Sequence, residues 1–213
     1  MKYRTTFLAV ALATAAGSAQ AFGLGLKAGS LGVGADLGFG ILPTLGGRVG
    51  VSGMNVSTHV ETSDVRYDAK AKFADVNLFL DWSPLGPFRI TGGFIPNDNK
   101  IDLTGRANST AGNAIVPPGA TLNGTVKPEK DFAPYLGIGY GNVWTKGVNF
   151  YFDLGVMFQG TPQVALNLNC GTASPAQCSA AQSQVAAEQQ RVQDKVDKYK
   201  YYPVANIGIT IGF

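Results

Sequence analysis

Apolar and polar residues alternate along most of this chain. From Val148 to Gln159 the even positions Val148, Phe150, Phe152, Leu154, Val156 and Phe158 are apolar, and Asn149, Tyr151, Asp153, Gly155, Met157 and Gln159 stand between them. Leu136, Ile138 and Tyr140 alternate with Gly137, Gly139 and Gly141, and Phe88, Ile90 and Phe94 with Arg89, Thr91 and Gly93. The chain finishes on Ile207, Ile209, Ile211 and Phe213, set against Asn206, Gly208, Thr210 and Gly212. A period of two puts each set on one face of a β-strand. Only Ser174 to Lys198 changes period. There Ala181, Val185, Val192, Val196 and Tyr199 recur near helical spacing in a Gln-, Lys- and Asp-rich stretch. Ser174 is suited to cap this helix and Pro175 to begin it. The pattern predicts an all-β chain with one helix, about 175–198.

Two places break the alternation. Val65, Tyr67, Ala69, Ala71 and Phe73 are apolar on odd positions, with Arg66, Asp68, Lys70 and Lys72 between; from Ala74 the apolar residues move to even positions (Val76, Leu78, Leu80, Trp82). A one-residue slip within a strand reads as a β-bulge. Leu24, Leu26 and Ala28 are even, whereas Leu31, Val33, Ala35, Leu37 and Phe39 are odd. A Gly29-Ser30 turn pairing Ala28 with Leu31 would flip the parity, and a bulge in one longer strand is the alternative. Short turns at Leu42-Pro43-Thr44, Ser83 to Pro87 and Asn142 to Gly147 alternate with longer connections near Thr62, at 108–119 and at 169–200. With the first strand counted separately, the expectation is eight antiparallel strands closed into a transmembrane barrel.

Lys2 and Arg4, the apolar run Phe7 to Ala16, and Ala19-Gln20-Ala21 form a secretory signal peptide, 1–21, too short for a membrane span. Cleavage would leave a barrel domain at 22–213 and lower the net charge from +3 to +1. That balance argues against nucleic-acid binding and supplies no polybasic membrane anchor. Cys170 and Cys178 lie close together before the helix, and beyond the inner membrane such a pair reads as a disulfide.

A soluble, lipocalin-like barrel also alternates, with its polar face in water. Here the polar face mixes Gly137, Gly139, Gly141, Gly155, Gly208 and Gly212 with scattered charges. Small residues relieve crowding inside a narrow barrel and only weaken an exposed strand. Trp82, Phe88, Tyr140, Trp144, Phe150 and Phe213 cluster near the short turns, where an interfacial aromatic girdle would lie. Asn206, Gly208, Ile211 and Phe213 match a pattern that resembles the terminal insertion signal of bacterial outer-membrane barrels. In architecture the chain resembles the small eight-stranded outer-membrane proteins of Gram-negative bacteria, the OmpA-, OmpW- and opacity-like barrels. The resemblance implies an outer-membrane protein with both ends in the periplasm, contacts with lipid and the barrel-assembly machinery, and segment 170–200 as an extracellular loop. The OmpW likeness implies a narrow channel for small or apolar solutes as the alternative.

Inward charges Arg48, Asp75, Arg89 and Asp153, with Asp81 near a turn, suggest an ion-pair plug or a breakable gate, because so narrow a lumen is filled by side chains. His59 is the only histidine, and Ser57, His59 and Glu61 share a strand face near the rim. A polar rim residue explains it more simply than a lipid-modifying enzyme without triad geometry. Gly23 to Ala28 has the letters of a dinucleotide fingerprint but no preceding strand or following helix. Asn55, Asn108 and Asn123 begin glycosylation-type triplets, irrelevant in a bacterial protein. No Cys/His cluster has metal-ligand spacing. The expected protein is non-enzymatic and needs no cofactor. Its role is structural or surface-interacting, and its helix would lie as a lid with the Val185, Val192 and Val196 side over the mouth.

Overall fold

The computed structural model describes residues 21–61, 65–96, 99–107, 117 and 119–213. The leader expected at 1–21 falls almost wholly outside them, as does Asn108. The strands are β1 (Phe22–Gly29), β2 (Gly32–Leu42), β3 (Leu45–Glu61), β4 (Val65–Leu85), β5 (Phe88–Pro96), β6 (Lys100–Ala107), β7 (Thr121–Lys127), β8 (Phe132–Tyr140), β9 (Gly147–Met157), β10 (Gln163–Asn169) and β11 (Tyr202–Gly212). One helix, α1 (Pro175–Val196), joins β10 to β11.

The antiparallel pairings close on themselves. β1 pairs with β2, β2 with β3, β3 with β4 and β4 with β5; β5 then pairs with β8, β8 with β9, β9 with β11 and β11 with β1. The closed ring has eight members; eleven strands form in all among the described residues, and β6, β7 and β10 lie outside the ring. Three long runs are each divided in two, β5 from β6, β7 from β8 and β9 from β10, beside Pro96, Pro128 and Pro162. Proline has no N–H to give a ladder and is tolerated where pairing stops. Beyond the interruptions, β6 continues the ladder on the upper half of β4, β7 pairs with β6, and β10 pairs with β7. A closed barrel thus carries a one-sided sheet extension, β4-β6-β7-β10, on the end away from the short turns.

Residues 22–29 form a separate first strand. The turn falls at Ser30-Leu31, so that Gly29 faces Gly32 and Ala28 faces Val33, one residue later than the parity argument placed it. The bulge expected at Phe73/Ala74 is absent: the β3–β4 register runs unbroken from Leu45↔Trp82 to Glu61↔Arg66. What changes there is the environment. Below the slip, inward Asp75, Asn77 and Asp81 are buried while Val76, Leu78, Leu80 and Trp82 are exposed; above it, Ala69 is buried while Lys70 and Lys72 are exposed. The strand passes from an inside-out polarity to an ordinary one without changing its pleat. Register shifts lie instead beside the short turns, between Gly40 and Leu42 and between Trp82 and Leu85.

The helix begins as the sequence suggests. Ser174 is the N-cap, Gln177 completes a capping box, and Pro175 opens the first turn. The Cys170–Cys178 disulfide, with Cα atoms 5.7 Å apart, ties that turn to the end of β10. The helix then lies along β10, with Val185 against the Ala120–Leu122 cluster, rather than across the lumen. Gln193 Oε1 accepts from Val164 N at 2.9 Å and Gln189 Oε1 from Leu166 N at 3.1 Å. Four helical residues advance about 6 Å and two strand residues about 6.6 Å, so the two rows stay in step. The glutamines therefore cover two donors of an edge strand that would otherwise leave them free. Replacing both by Ala should remove two bonds of about 0.5–1.5 kcal/mol each. Amide exchange at Val164 and Leu166 should accelerate by roughly tenfold or more, with Ile207 and Ile209 unchanged; equal protection in the variant would refute the edge-capping role.

Candidate functional site: the lumen

The ring of pairings leaves an interior filled by side chains, stacked in layers. At the short-turn end, the connection after β8 folds inward and buries Val143 and Trp144. Trp144 lies over Gly46, and Val143 against Gly38; a Cβ at either glycine would collide with them. This corrects the expectation that Trp144 belongs to an outer aromatic girdle. Trp82, Phe88, Tyr140, Phe150 and Phe213 do stand exposed. Phe88 and Tyr140 meet edge to face at 5.3 Å, and Phe22 stacks on Phe213 at 5.0 Å.

The charged layer comes next. Arg48 Nη1 donates to Asp153 Oδ2 at 2.7 Å, and its Nε lies 3.1 Å from Asp81 Oδ2. Arg89 donates to Asp153 Oδ1 and to the Gly141 carbonyl, and its Nε lies 3.5 Å from Asp81 Oδ1. Thr91 Oγ1 donates to Asp81 at 2.6 Å. On the opposite wall Lys27 Nζ donates to Asp36 at 2.7 Å and to Asn77 at 2.6 Å, while the Tyr151 hydroxyl donates to Asp36 Oδ2 at 2.5 Å. Tyr151 joins the two halves, since both guanidinium groups lie over its ring, at 5.5 and 5.6 Å. Its ring fills the space above Gly208, where a Cβ would overlap it. Three cations face three carboxylates, so the layer is neutral as a unit. Arg48 is 1% exposed and Asp153 2%, whereas Leu26 on the outside is 66% exposed and Phe150 71%.

Above the charges lies an apolar layer of Leu31, Phe79, Ile95, Ala133, Tyr135, Met157 and Val204. Phe79 stacks on Tyr135 at 4.6 Å, and the Arg48 guanidinium lies over its ring, 5.1 Å from the centre.

Of the residues singled out from the sequence, Arg48, Arg89 and Asp153 come together. Asp75 does not join them: it accepts from Asn99 Nδ2 at 2.8 Å, higher in the lumen. Lys27 and Asp36 were missed, although they are the only charged residues of β1 and β2 and both sit on the polar phase. Tyr151 was assigned to the polar face without a role. His59 stands exposed on the sheet extension, its Nε2 3.2 Å from Asp68 across the strand pair. Asn206 and Gly208 point inward while Ile211 and Phe213 point outward along β11, which pairs with β1 and β9. No cluster of metal-binding side chains occurs among the described residues.

Fold and interior together define a closed antiparallel β-barrel with a polar, filled core. Solved structures of the same shape exist. CarO2 of Acinetobacter baumannii aligns with a TM-score of 0.60 at 23% identity, over 92% of this chain and 100% of that one. CarO of the same organism gives 0.57 at 24%, over 90% and 97%. A major outer membrane protein of Thermus thermophilus gives 0.45 at 16%, over 92% and 100%. At these identities the likeness to the two Acinetobacter proteins is one of fold. No family model matches the chain, and no curated protein does.

Removing Asp153 leaves two buried guanidinium groups to share the single carboxylate of Asp81, whereas removing Asp75 takes one acceptor from Asn99. Asp153→Ala should lower the unfolding free energy by about 3–5 kcal/mol, and Asp75→Ala by about 1–3 kcal/mol. Urea titration of the folded protein in lipid vesicles separates the two; equal losses would mean that the cluster does not act as a unit.

Proposed function

We propose that this chain is a bacterial outer-membrane β-barrel protein, non-enzymatic and closed in its lumen, that serves as an anchor presenting the sheet extension and α1. The observation carrying this reading is the inverted polarity: charges are buried in the barrel while Leu24, Leu26, Leu78, Leu80, Ile138, Phe150, Ile207 and Ile209 are exposed. Such an exterior is unfavourable in water and suited to hydrocarbon, where a closed ladder satisfies every backbone group. Among the described residues no helix is long and apolar enough to cross a membrane, so strands would do the spanning. On β4 the outward apolar run from Ala74 to Trp82 is nine residues, matching the roughly 9–11 of a tilted spanning strand. The short turns, with Phe22 and Phe213, would face the periplasm and the extension the outside. In this reading Asn206, Gly208, Ile211 and Phe213 engage the barrel-assembly machinery, and the lipid face engages outer-membrane lipid.

Three stacked layers support a closed lumen rather than a gate at one residue. Heat-modifiable protein inserted into planar bilayers should give no unitary steps. Arg48→Ala should remain silent as well, because the Trp144 floor and the Phe79–Tyr135 layer stay in place. Steady steps from the wild type would replace the anchor with a narrow channel, and steps in the variant alone would identify Arg48 as its gate.

The membrane level has its own test. Leu78→Arg, in the middle of the outward apolar run, should destabilise by about 2–4 kcal/mol in vesicles. Asn55→Arg lies on the same outer surface but above the inversion, and should change stability by less than about 0.5 kcal/mol. Equal effects would place the lipid boundary elsewhere.

A further inference from the structure

A cavity of about 300 Å³ lies between the barrel mouth and the sheet extension. Its floor is Phe73, Tyr202 and Met157; the two rings are 6.5 Å apart, and Met157 belongs also to the apolar layer of the lumen. Ile101 and Val126, directly opposite each other on β6 and β7, form the sheet wall, and Val196 closes the side toward α1. Lys100 and Lys127, on the opposite pleat from Ile101 and Val126, turn outward at the rim of the cavity, and no carboxylate lines it. Lys100 reaches Asp102 at 3.7 Å on the exposed surface. Lys100 is also the register partner of Lys72, the first exposed residue above the apolar run of β4. The lysines therefore stand at the level where the outer surface changes from apolar to polar.

We propose that this cavity binds a single acyl chain bearing an anionic headgroup, with the chain against Ile101, Val126 and Met157 and the headgroup at Lys100 and Lys127. Concave, mostly apolar sites of this volume with few polar groups are the usual form of small-molecule sites. Two ammonium groups at the rim, with Asp102 beside one of them, leave an excess of positive charge that selects the sign of the head. The chain could come from a free fatty acid or from an anionic lipid of the leaflet; the chemistry recognised is the same. The site is independent of whether the lumen conducts.

The test uses the folded protein in phosphatidylcholine nanodiscs, titrated with dodecanoate and read by native mass spectrometry. One dodecanoate should bind per chain. Ile101→Trp, which fills the cavity, should lower affinity at least tenfold. The double variant Lys100→Glu/Lys127→Glu should lower dodecanoate affinity about tenfold and leave dodecanol binding in place. Because both lysines are exposed, this variant keeps the test alive if the tryptophan disturbs folding. Equal dodecanoate binding by the wild type and the charge-reversed variant would overturn the proposal, as would dodecyltrimethylammonium binding as tightly as dodecanoate. Adding phosphatidylglycerol to the nanodiscs separates the sources: one retained lipid that blocks dodecanoate makes a leaflet lipid the occupant, and displacement of that lipid makes it the free acid.

Discussion

Asp153 is the residue on which the interior of this barrel depends, because both of its oxygens are taken by guanidinium groups from different walls. Arg48 comes from β3 and Arg89 from β5, and each also reaches Asp81 on β4. The ring that surrounds them is too narrow for water-filled space, so every inward charge must find its counter-charge across the lumen. An unpaired charge there would cost several kcal/mol, more than most single contacts contribute. The pairing consequently fixes how the walls face one another: β3, β4, β5 and β9 are stapled through the centre as well as laced along their edges. Tyr151 extends the arrangement to β1 and β2 through Asp36 and Lys27. The glycines follow from the same constraint. Gly208 and Gly46 lie where the rings of Tyr151 and Trp144 need the volume a Cβ would occupy.

The second constraint is the change of surroundings part-way along the strands. Below Ala74 the apolar face points out, and above it the apolar face points in, with no shift in the ladder. Other runs meet the same transition and break: Pro96, Pro128 and Pro162 stand beside the interruptions that split three of them. Only β3 and β4 cross the level intact, at 17 and 21 residues, and they are the strands from which the extension is built. Once out of the ring a sheet has an edge again, a liability that closure had removed. On the β10 side the edge is covered by α1, whose glutamines at a four-residue interval match donors at a two-residue interval.

This explains what the sequence showed and what it hid. Period two revealed the strands because it is a property of the pleat, the same in either environment. Capping residues revealed the helix, since Ser174, Pro175 and Gln177 act locally. The parity slip at Phe73 was visible but misread: a bulge and a change of solvent produce the same shift of apolar residues, and only the register distinguishes them. The three strands outside the ring were not legible, because alternation reads straight through the prolines that divide three runs. Within the lumen, Arg48, Arg89 and Asp153 were legible as inward charges in a narrow ring. Lys27 and Asp36 carried the same signal, a lone charge on the glycine-bearing face of an apolar strand. Which carboxylate meets which cation was not legible, because Asp75 and Asp81 differ only in height. Height depends on strand stagger, which no local pattern encodes. Trp144 was misplaced for a related reason: an aromatic in a short turn can face outward or fold under the barrel, and the small residues that admit it, Gly40 and Gly46, lie about a hundred residues away.

A filled lumen makes the two ends of the barrel mechanically separate. The floor of Val143 and Trp144, the charged cluster and the Phe79–Tyr135 layer lie between them. The extension in turn depends on the ring at few points: the continuing ladders of β3 and β4, and the Met157–Tyr202 contact where the roof of the lumen becomes the floor of the outer cavity. The Cys170–Cys178 bridge acts wholly within this upper part, tying the start of α1 to the end of β10 so that Gln189 and Gln193 fall opposite the donors they cover. The charges buried at the centre of the barrel are thus sensitive to the loss of any one partner. The sheet and helix above them could change in sequence without disturbing one of those pairs.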